Sequence, residues 1–203
     1  MTGGSRLFRG RQRAAGDDRL PPGQYDTGAR FPVLSAEPTP RLSSDDWTMT
    51  VDGLVDGERT WSWDDLHQLP RSEYSGAIHC VTSWSKFGVT FGGVSVDELL
   101  RLAVPRPEAT HVLATSVTGY TTNLPLAHVV GGQAWLVWTY GEGALPREHG
   151  GPLRLLVPHL YFWKSAKWIT RLTLRDSDTP GFWERNGYHD LGDPWREQRY
   201  RGD

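Results

Sequence analysis

The hydrophobic pattern of this chain is strand-like for most of its length. Trp47-Thr48-Met49-Thr50-Val51 alternates with a period of two before Asp52-Gly53 turns the chain. His111 to Val117 and Tyr120 to Leu126 read as strands around Thr118-Gly119, and Gln133 to Tyr140 alternates again until Gly141-Glu142-Gly143. Leu153 to Val157 and Trp168 to Leu174 are apolar enough for buried strands. Two helices interrupt this series. Ser62-Trp63-Asp64-Asp65 is a capping-box start for a helix stopped by Pro70, and Ser95 with Glu98 predicts a second box for a helix through Ala103, ended by Pro105. Strands dominate without a regular βαβ rhythm, which predicts a mixed, strand-rich α+β fold with short inserted helices.

Both ends differ from this body. Residues 1–30 carry six arginines against three aspartates and show no hydrophobic period, so they are expected to be mobile or draped over the surface. Residues 31–203 are expected to form one domain. Phe31 to Pro40 holds three prolines and suits an extended arm across it. The aromatic tail from Gly181 onward is expected to pack onto the domain.

Composition narrows the function classes. A net charge of −2 gives no reason to expect nucleic acid as a partner. No run of about 18 apolar residues occurs, so no transmembrane helix is expected. Arg9-Gly10-Arg11-Gln12-Arg13 is followed by no apolar core of the export type, and the expected location is cytoplasmic. One cysteine excludes a disulfide framework.

That cysteine, Cys80, lies in Ala77-Ile78-His79-Cys80-Val81-Thr82-Ser83-Trp84-Ser85-Lys86-Phe87-Gly88, which reads as a strand end emptying into a loop. A lone thiol there is a buried small hydrophobe, a nucleophile or a soft metal ligand. His79 is a poor base for it, because strand neighbours point to opposite faces. A second concentration of chemistry runs from Arg147 to Arg171, with five Arg or Lys and two His against one acid. These charges interrupt apolar stretches, in His149-Gly150-Gly151-Pro152-Leu153-Arg154 and Lys164-Ser165-Ala166-Lys167-Trp168. Charges flanking buried strands converge where an anion offsets their desolvation, and a phosphate-bearing ligand is the natural inference.

His79-Cys80-Val81-Thr82-x-Trp84-Ser85 resembles the motif around the molybdenum-ligating cysteine of the sulfite oxidase family, closest to its bacterial branch. The His-Gly-x-Pro-x-Arg and Lys-x-x-Lys-Trp elements resemble its pyranopterin-binding stretches, in the same order. The resemblance covers roughly Phe31 to Tyr200. It implies a molybdenum-pterin oxidoreductase that moves an oxygen atom to or from a small substrate, with a separate electron-transfer partner and no haem in this chain. Cys80 would ligate molybdenum. Cys80, Trp84, Ser116, His149, Arg154, Lys164, Ser165, Ala166 and Lys167 would hold molybdopterin, with Tyr120 and Lys86 beside Cys80 at the reacting rim. A thiol enzyme with Cys80 as nucleophile, or a non-catalytic cofactor-binding relative, are the alternatives. Two departures bear on substrate. Ser85 takes the place of an anion-binding arginine of sulfite oxidases, and their active-site tyrosine is replaced near Pro180-Gly181. Both lead to an expectation of S-oxide or N-oxide substrates over sulfite.

Overall fold

Two sheets whose strands interleave along the chain carry the site. A computed structural model describes residues 18–203. The first sheet runs β1 (Tyr25–Asp26), β5 (Trp84–Ser95), β8 (Trp135–Tyr140), β10 (Arg154–Leu156), with β4 (Arg71–His79) on the outer edge of β5 and β9 (Gly143–Ala144) on β8. The second runs β3 (Arg59–Ser62), β2 (Thr48–Gly53), β11 (Ile169–Arg175), β6 (His111–Ser116), β7 (Thr121–Pro125). Here β11 pairs parallel to β2 and antiparallel to β6, so the C-terminal strand closes the sheet begun by the first long one. The alternating residues Met49 and Val51 of β2 and Leu172 and Leu174 of β11 are all buried in one core. Val94, Leu136 and Leu155, from the first sheet, join that core. Apolar burial common to both sheets is what fixes them against each other.

The helices are short. At α1 (Trp63–Gln68) the Ser62 and Asp65 side chains satisfy each other's backbone amides, as the sequence predicts. At α2 (Val96–Ala103) the predicted box does not close. The Ser95 hydroxyl accepts from the Asp97 amide, and Glu98 is drawn instead to Arg101 at 2.7 Å, one turn on. Among the described residues no helix is long and apolar enough to cross a membrane.

The largest difference from the sequence reading is the β4–β5 hairpin. It spans residues 71–95 and was legible only at Ala77-Ile78. Residues 1–17 lie outside the described residues. Within residues 18–30, β1 pairs parallel with Trp84 and Ser85 of β5, with Leu20 and Gln24 buried and the Tyr25 amide donating to the Ser83 carbonyl at 2.9 Å. The C-terminal tail is packed, through α3 (Phe182–Arg185) and a run of aromatic contacts.

Candidate active site

The turn at the top of the β4–β5 hairpin presents Cys80. The Cys80 amide donates to the Trp84 carbonyl at 2.8 Å and the Ser83 amide to the Cys80 carbonyl at 3.0 Å, with Ser83 in the left-handed region at φ 72°. Two distant segments brace this loop. Gln24 donates its side-chain amide to the Cys80 carbonyl at 3.1 Å, and Arg199 donates to the Val81 carbonyl at 2.5 Å. The thiol itself contacts only the Thr82 hydroxyl, at 3.2 Å. Burial pushes its pKa up, which leaves it protonated and weakly nucleophilic. His79 faces the other way, bonded through Nδ1 to the Ser85 hydroxyl at 2.8 Å, as strand alternation requires.

Cys80 opens into a cavity of about 280 Å³. The second sequence cluster reaches the same cavity from β10 and from the segment leading into β11. Arg154 is buried on its floor, donating to the carbonyls of His149 at 2.7 Å and Ser165 at 2.8 Å, with its guanidinium 3.7 Å over the Phe162 ring. Lys167 donates to the Glu148 carbonyl at 2.6 Å, and Ser116 donates to the Lys167 carbonyl at 2.5 Å. Ser165 and Ala166 supply floor backbone, the Ser165 hydroxyl accepting from the Val157 amide at 2.9 Å. Gly150 lets these segments touch: its φ is 112°, and a Cβ there would lie 3.2 Å from both Arg154 and Lys167. His149 is stacked on Phe31 at 3.7 Å, which pins the start of the proline arm over the cavity. Arg147 holds the other end through the Pro40 carbonyl at 3.2 Å. Trp84 and Tyr120 border the space, the Tyr120 hydroxyl donating to the Trp163 carbonyl at 2.7 Å.

Two predicted residues are elsewhere. Lys86 turns away and donates to the Gly28 and Ala29 carbonyls at 2.9 and 3.4 Å, so the N-terminal segment, not the cavity, takes its charge. Lys164 is fully buried behind the floor, 2.6 Å from Glu184 Oε1 and bonded to the Asn123 and Asp190 carbonyls. It is a saturated structural cation rather than a cavity residue. Ser85 is likewise buried on the far side of the strand. Trp163, Trp183 and Tyr188 also line the cavity, as do arm residues ending at Glu37, and none of them was named as a site residue from sequence. Their signal there was the resemblance of Phe182-Trp183-Glu184 and Gly187-Tyr188-His189 to the family's bacterial branch and the prolines of the arm.

The cavity's chemistry is that of a vacant-handed anion binder. Burial, reinforced by Arg154 and Lys167, lowers the His149 pKa to about 4. Burial and then Arg154 lower Lys167 to about 7, and burial lowers Arg154 to about 9. Arg154 and Lys167 repel each other out of water, beside a neutral His149, and call for a negative ligand between them. Of the buried donors without a partner among the described residues, two, Trp84 Nε1 and Arg154 Nε, belong to residues that line the cavity. Among the described residues no group of three metal-ligating side chains exists. A metal at Cys80 would have to bring its remaining ligands with it, as a dithiolene cofactor does. The residues present fit an anionic, acceptor-rich metal cofactor.

Comparison with known proteins agrees with this geometry. Residues 36–183 match the family described as "Oxidoreductase molybdopterin binding domain". The chain is 41% identical to the uncharacterized oxidoreductase YuiH of Bacillus subtilis (strain 168), over 91% of its own length and 93% of that protein's. It is 31% identical to a putative protein-methionine-sulfoxide reductase subunit, YedZ1, of Azospira oryzae over 71% of this chain, and 24% identical to the mitochondrial sulfite oxidase of Drosophila melanogaster over 81%. The chain spans 55% and 33% of the length of those two relatives. Its fold matches the solved sulfane dehydrogenase SoxCD of Paracoccus pantotrophus with a TM-score of 0.65 at 23% identity, covering 73% of this chain and 42% of that one. A cysteine and a cationic floor on two strand-rich sheets, matched by that family over most of the chain, identify an oxidoreductase of the sulfite-oxidase-like molybdopterin-binding family.

Proposed function

We propose that this enzyme reduces organic S-oxides or N-oxides at a molybdenum-pterin centre ligated by Cys80. The observation that carries the substrate reading is the placement of the lysines. With Lys86 spent on the Gly28 and Ala29 carbonyls and Lys164 on Glu184, the cavity's cations among the described residues are Arg154 and Lys167, which the anionic cofactor would take up. A small dianion such as sulfite needs convergent cations when it leaves water. An aromatic lining suits an uncharged or apolar group instead. The relative from Azospira named for methionine sulfoxide reduction is also nearer in sequence than the named sulfite oxidase.

When bound, the molybdenum pterin supplies a centre that exchanges an oxygen atom and two electrons with substrate. The chain's own residues do the rest. Cys80 gives up its proton to bind the metal, which overcomes the burial that otherwise holds the thiol protonated. Arg154, Lys167 and His149 hold the anionic part of the cofactor, and Trp84 Nε1 and Arg154 Nε offer it their free protons. Tyr120, its pKa raised well above the usual value by burial and then by the Glu184 charge, stays neutral and forms part of the wall. Overall the organic oxide takes two electrons and two protons and leaves as the reduced compound and water. The electrons come from a separate carrier. The nucleophile reading has no support, since Cys80 lacks a base.

A steady-state assay on cofactor-loaded protein tests this. Turnover of dialkyl sulfoxides or amine N-oxides with a reduced dye is expected, with weak or no sulfite oxidation. Efficient sulfite oxidation with no oxide reduction overturns the substrate reading.

A further inference from the structure

The cavity lining carries both signs of charge: Arg154, Lys167 and His149, and with them Glu37, the one carboxylate among the described lining residues. Glu37 lies on the proline arm, is half-buried and makes no hydrogen bond or ion pair among the described residues, although basic side chains line the same space. A carboxylate held at a ligand cavity without a partner is available to a ligand.

Part of the same lining is aromatic and angular. Trp163 and Tyr188 meet at 75° with centroids 5.4 Å apart, and Trp183 and Tyr188 at 50° with centroids 4.8 Å apart. Rings at such angles make a corner that shows π-faces in more than one direction, the arrangement that receives an alkylated cation. The corner is rigid. Trp163 Nε1 donates to Glu184 Oε1 at 2.9 Å, and Gly192 lies so close beneath that a Cβ would sit 2.7 Å from the indole. The Tyr188 amide donates to the Trp183 carbonyl at 3.1 Å, which fixes that pair. The charge of Glu37 also reaches Tyr120, where it helps to raise the hydroxyl's pKa.

We propose that Glu37 and the Trp163–Trp183–Tyr188 corner form a specificity subsite for a positively charged, alkylated group, so that the preferred substrate is an organic oxide carrying a cation. Its ammonium or sulfonium group faces Glu37 and the aromatic corner. This rests on the oxide-reduction reading above and adds the charge of the substrate to it.

The test compares three sulfoxides of matched size, ending in trimethylammonium, tert-butyl or carboxylate, on cofactor-loaded protein. An anionic reduced dye is used, since cationic dyes compete for the same corner. Wild type is expected to prefer the trimethylammonium compound over the neutral one by about tenfold in kcat/KM. Glu37→Gln and Trp183→Leu should each cut that ratio to about two- or threefold. Calorimetry with tetramethylammonium chloride supplies a readout independent of turnover: binding is expected in wild type and about tenfold weaker in Glu37→Gln. A ratio near one in wild type, or one unchanged in both variants, overturns the subsite and leaves oxide reduction standing. Should no oxide be reduced at all, the reduction reading falls, and the absence of tetramethylammonium binding alone overturns the corner.

Discussion

Replacing Lys164 by methionine separates two roles that its sequence context makes equally plausible, a cofactor ligand and a structural bolt. Lys164 and Glu184 are both fully buried, and Nζ lies 2.6 Å from Oε1. The same ammonium donates to the Asn123 carbonyl at 2.8 Å, to Asn123 Oδ1 at 3.1 Å and to the Asp190 carbonyl at 2.5 Å. It therefore ties β7 to the turn at Phe162–Lys164 and to the tail beyond α3. Lys164→Met removes the only cation facing the Glu184 carboxylate, which keeps just the Trp163 indole and a 3.4 Å contact from the Thr122 hydroxyl. Stranding one charge of such a pair costs about 3–5 kcal/mol. For a domain of this size that lowers the melting temperature by about 10 °C. Lys164→Met with Glu184→Gln leaves no orphaned charge and should return to within about 2 kcal/mol of wild type. Thermal and urea unfolding of wild type, both single variants and the double variant closes the cycle, with molybdenum content measured on each. A Lys164→Met protein that melts normally but loses its molybdenum refutes the bolt and restores the lysine as a cofactor ligand.

Other expected outcomes are simpler. Cys80→Ser should abolish turnover and alter the metal's absorption while the protein still folds; full activity would remove Cys80 as the metal ligand. Arg154→Met and Lys167→Met should each lower cofactor occupancy, because a lost charge-assisted contact costs about 1.5–3 kcal/mol; wild-type phosphorus and molybdenum content in both would contradict the anion floor. His79, His149 and His159 all have pKa values lowered by burial to about 4, below the ordinary 6.5. The unfolded chain therefore binds more protons between those values, and stability present above about pH 6.5 should be lost as pH falls toward 4. A melting temperature flat across that window would refute the neutral, buried state of these rings.

The cysteine and the cationic floor were legible because each sits inside a short motif whose neighbours carry the same message. Cys80, His149, Arg154 and Lys167 do meet around one cavity. The two lysines are not among the cavity's lining residues because a lysine's stem reaches in any direction, and what claims its charge is set by packing. For Lys164 the claimant is Glu184, twenty positions on in a tail helix; for Lys86 it is the Gly28 and Ala29 carbonyls in the turn after β1. The second half of the hairpin was missed for a different reason. Its glycines look like turn residues, yet Gly93 lies mid-strand because a Cβ there would meet the Leu136 carbonyl at 1.9 Å. A glycine required by a neighbouring backbone is indistinguishable in sequence from one required by a turn. Only the third dimension shows that Trp163, Trp183 and Tyr188 line one cavity.

The two braces on the cysteine loop set an order of events. Gln24 reaches the Cys80 carbonyl across 56 positions, and Arg199 reaches Val81 across 118. Contacts of such long separation close after local hairpins have formed, since the entropy of joining distant segments must first be met. The β4–β5 hairpin can therefore exist early with a loose tip, while the loop that presents the thiol acquires its shape only when both flanking segments have docked. During synthesis a chain that has not yet reached residue 199 holds an unfinished cysteine loop. The loop that presents Cys80 is thus completed by two residues, Gln24 and Arg199, that are not part of the cavity lining.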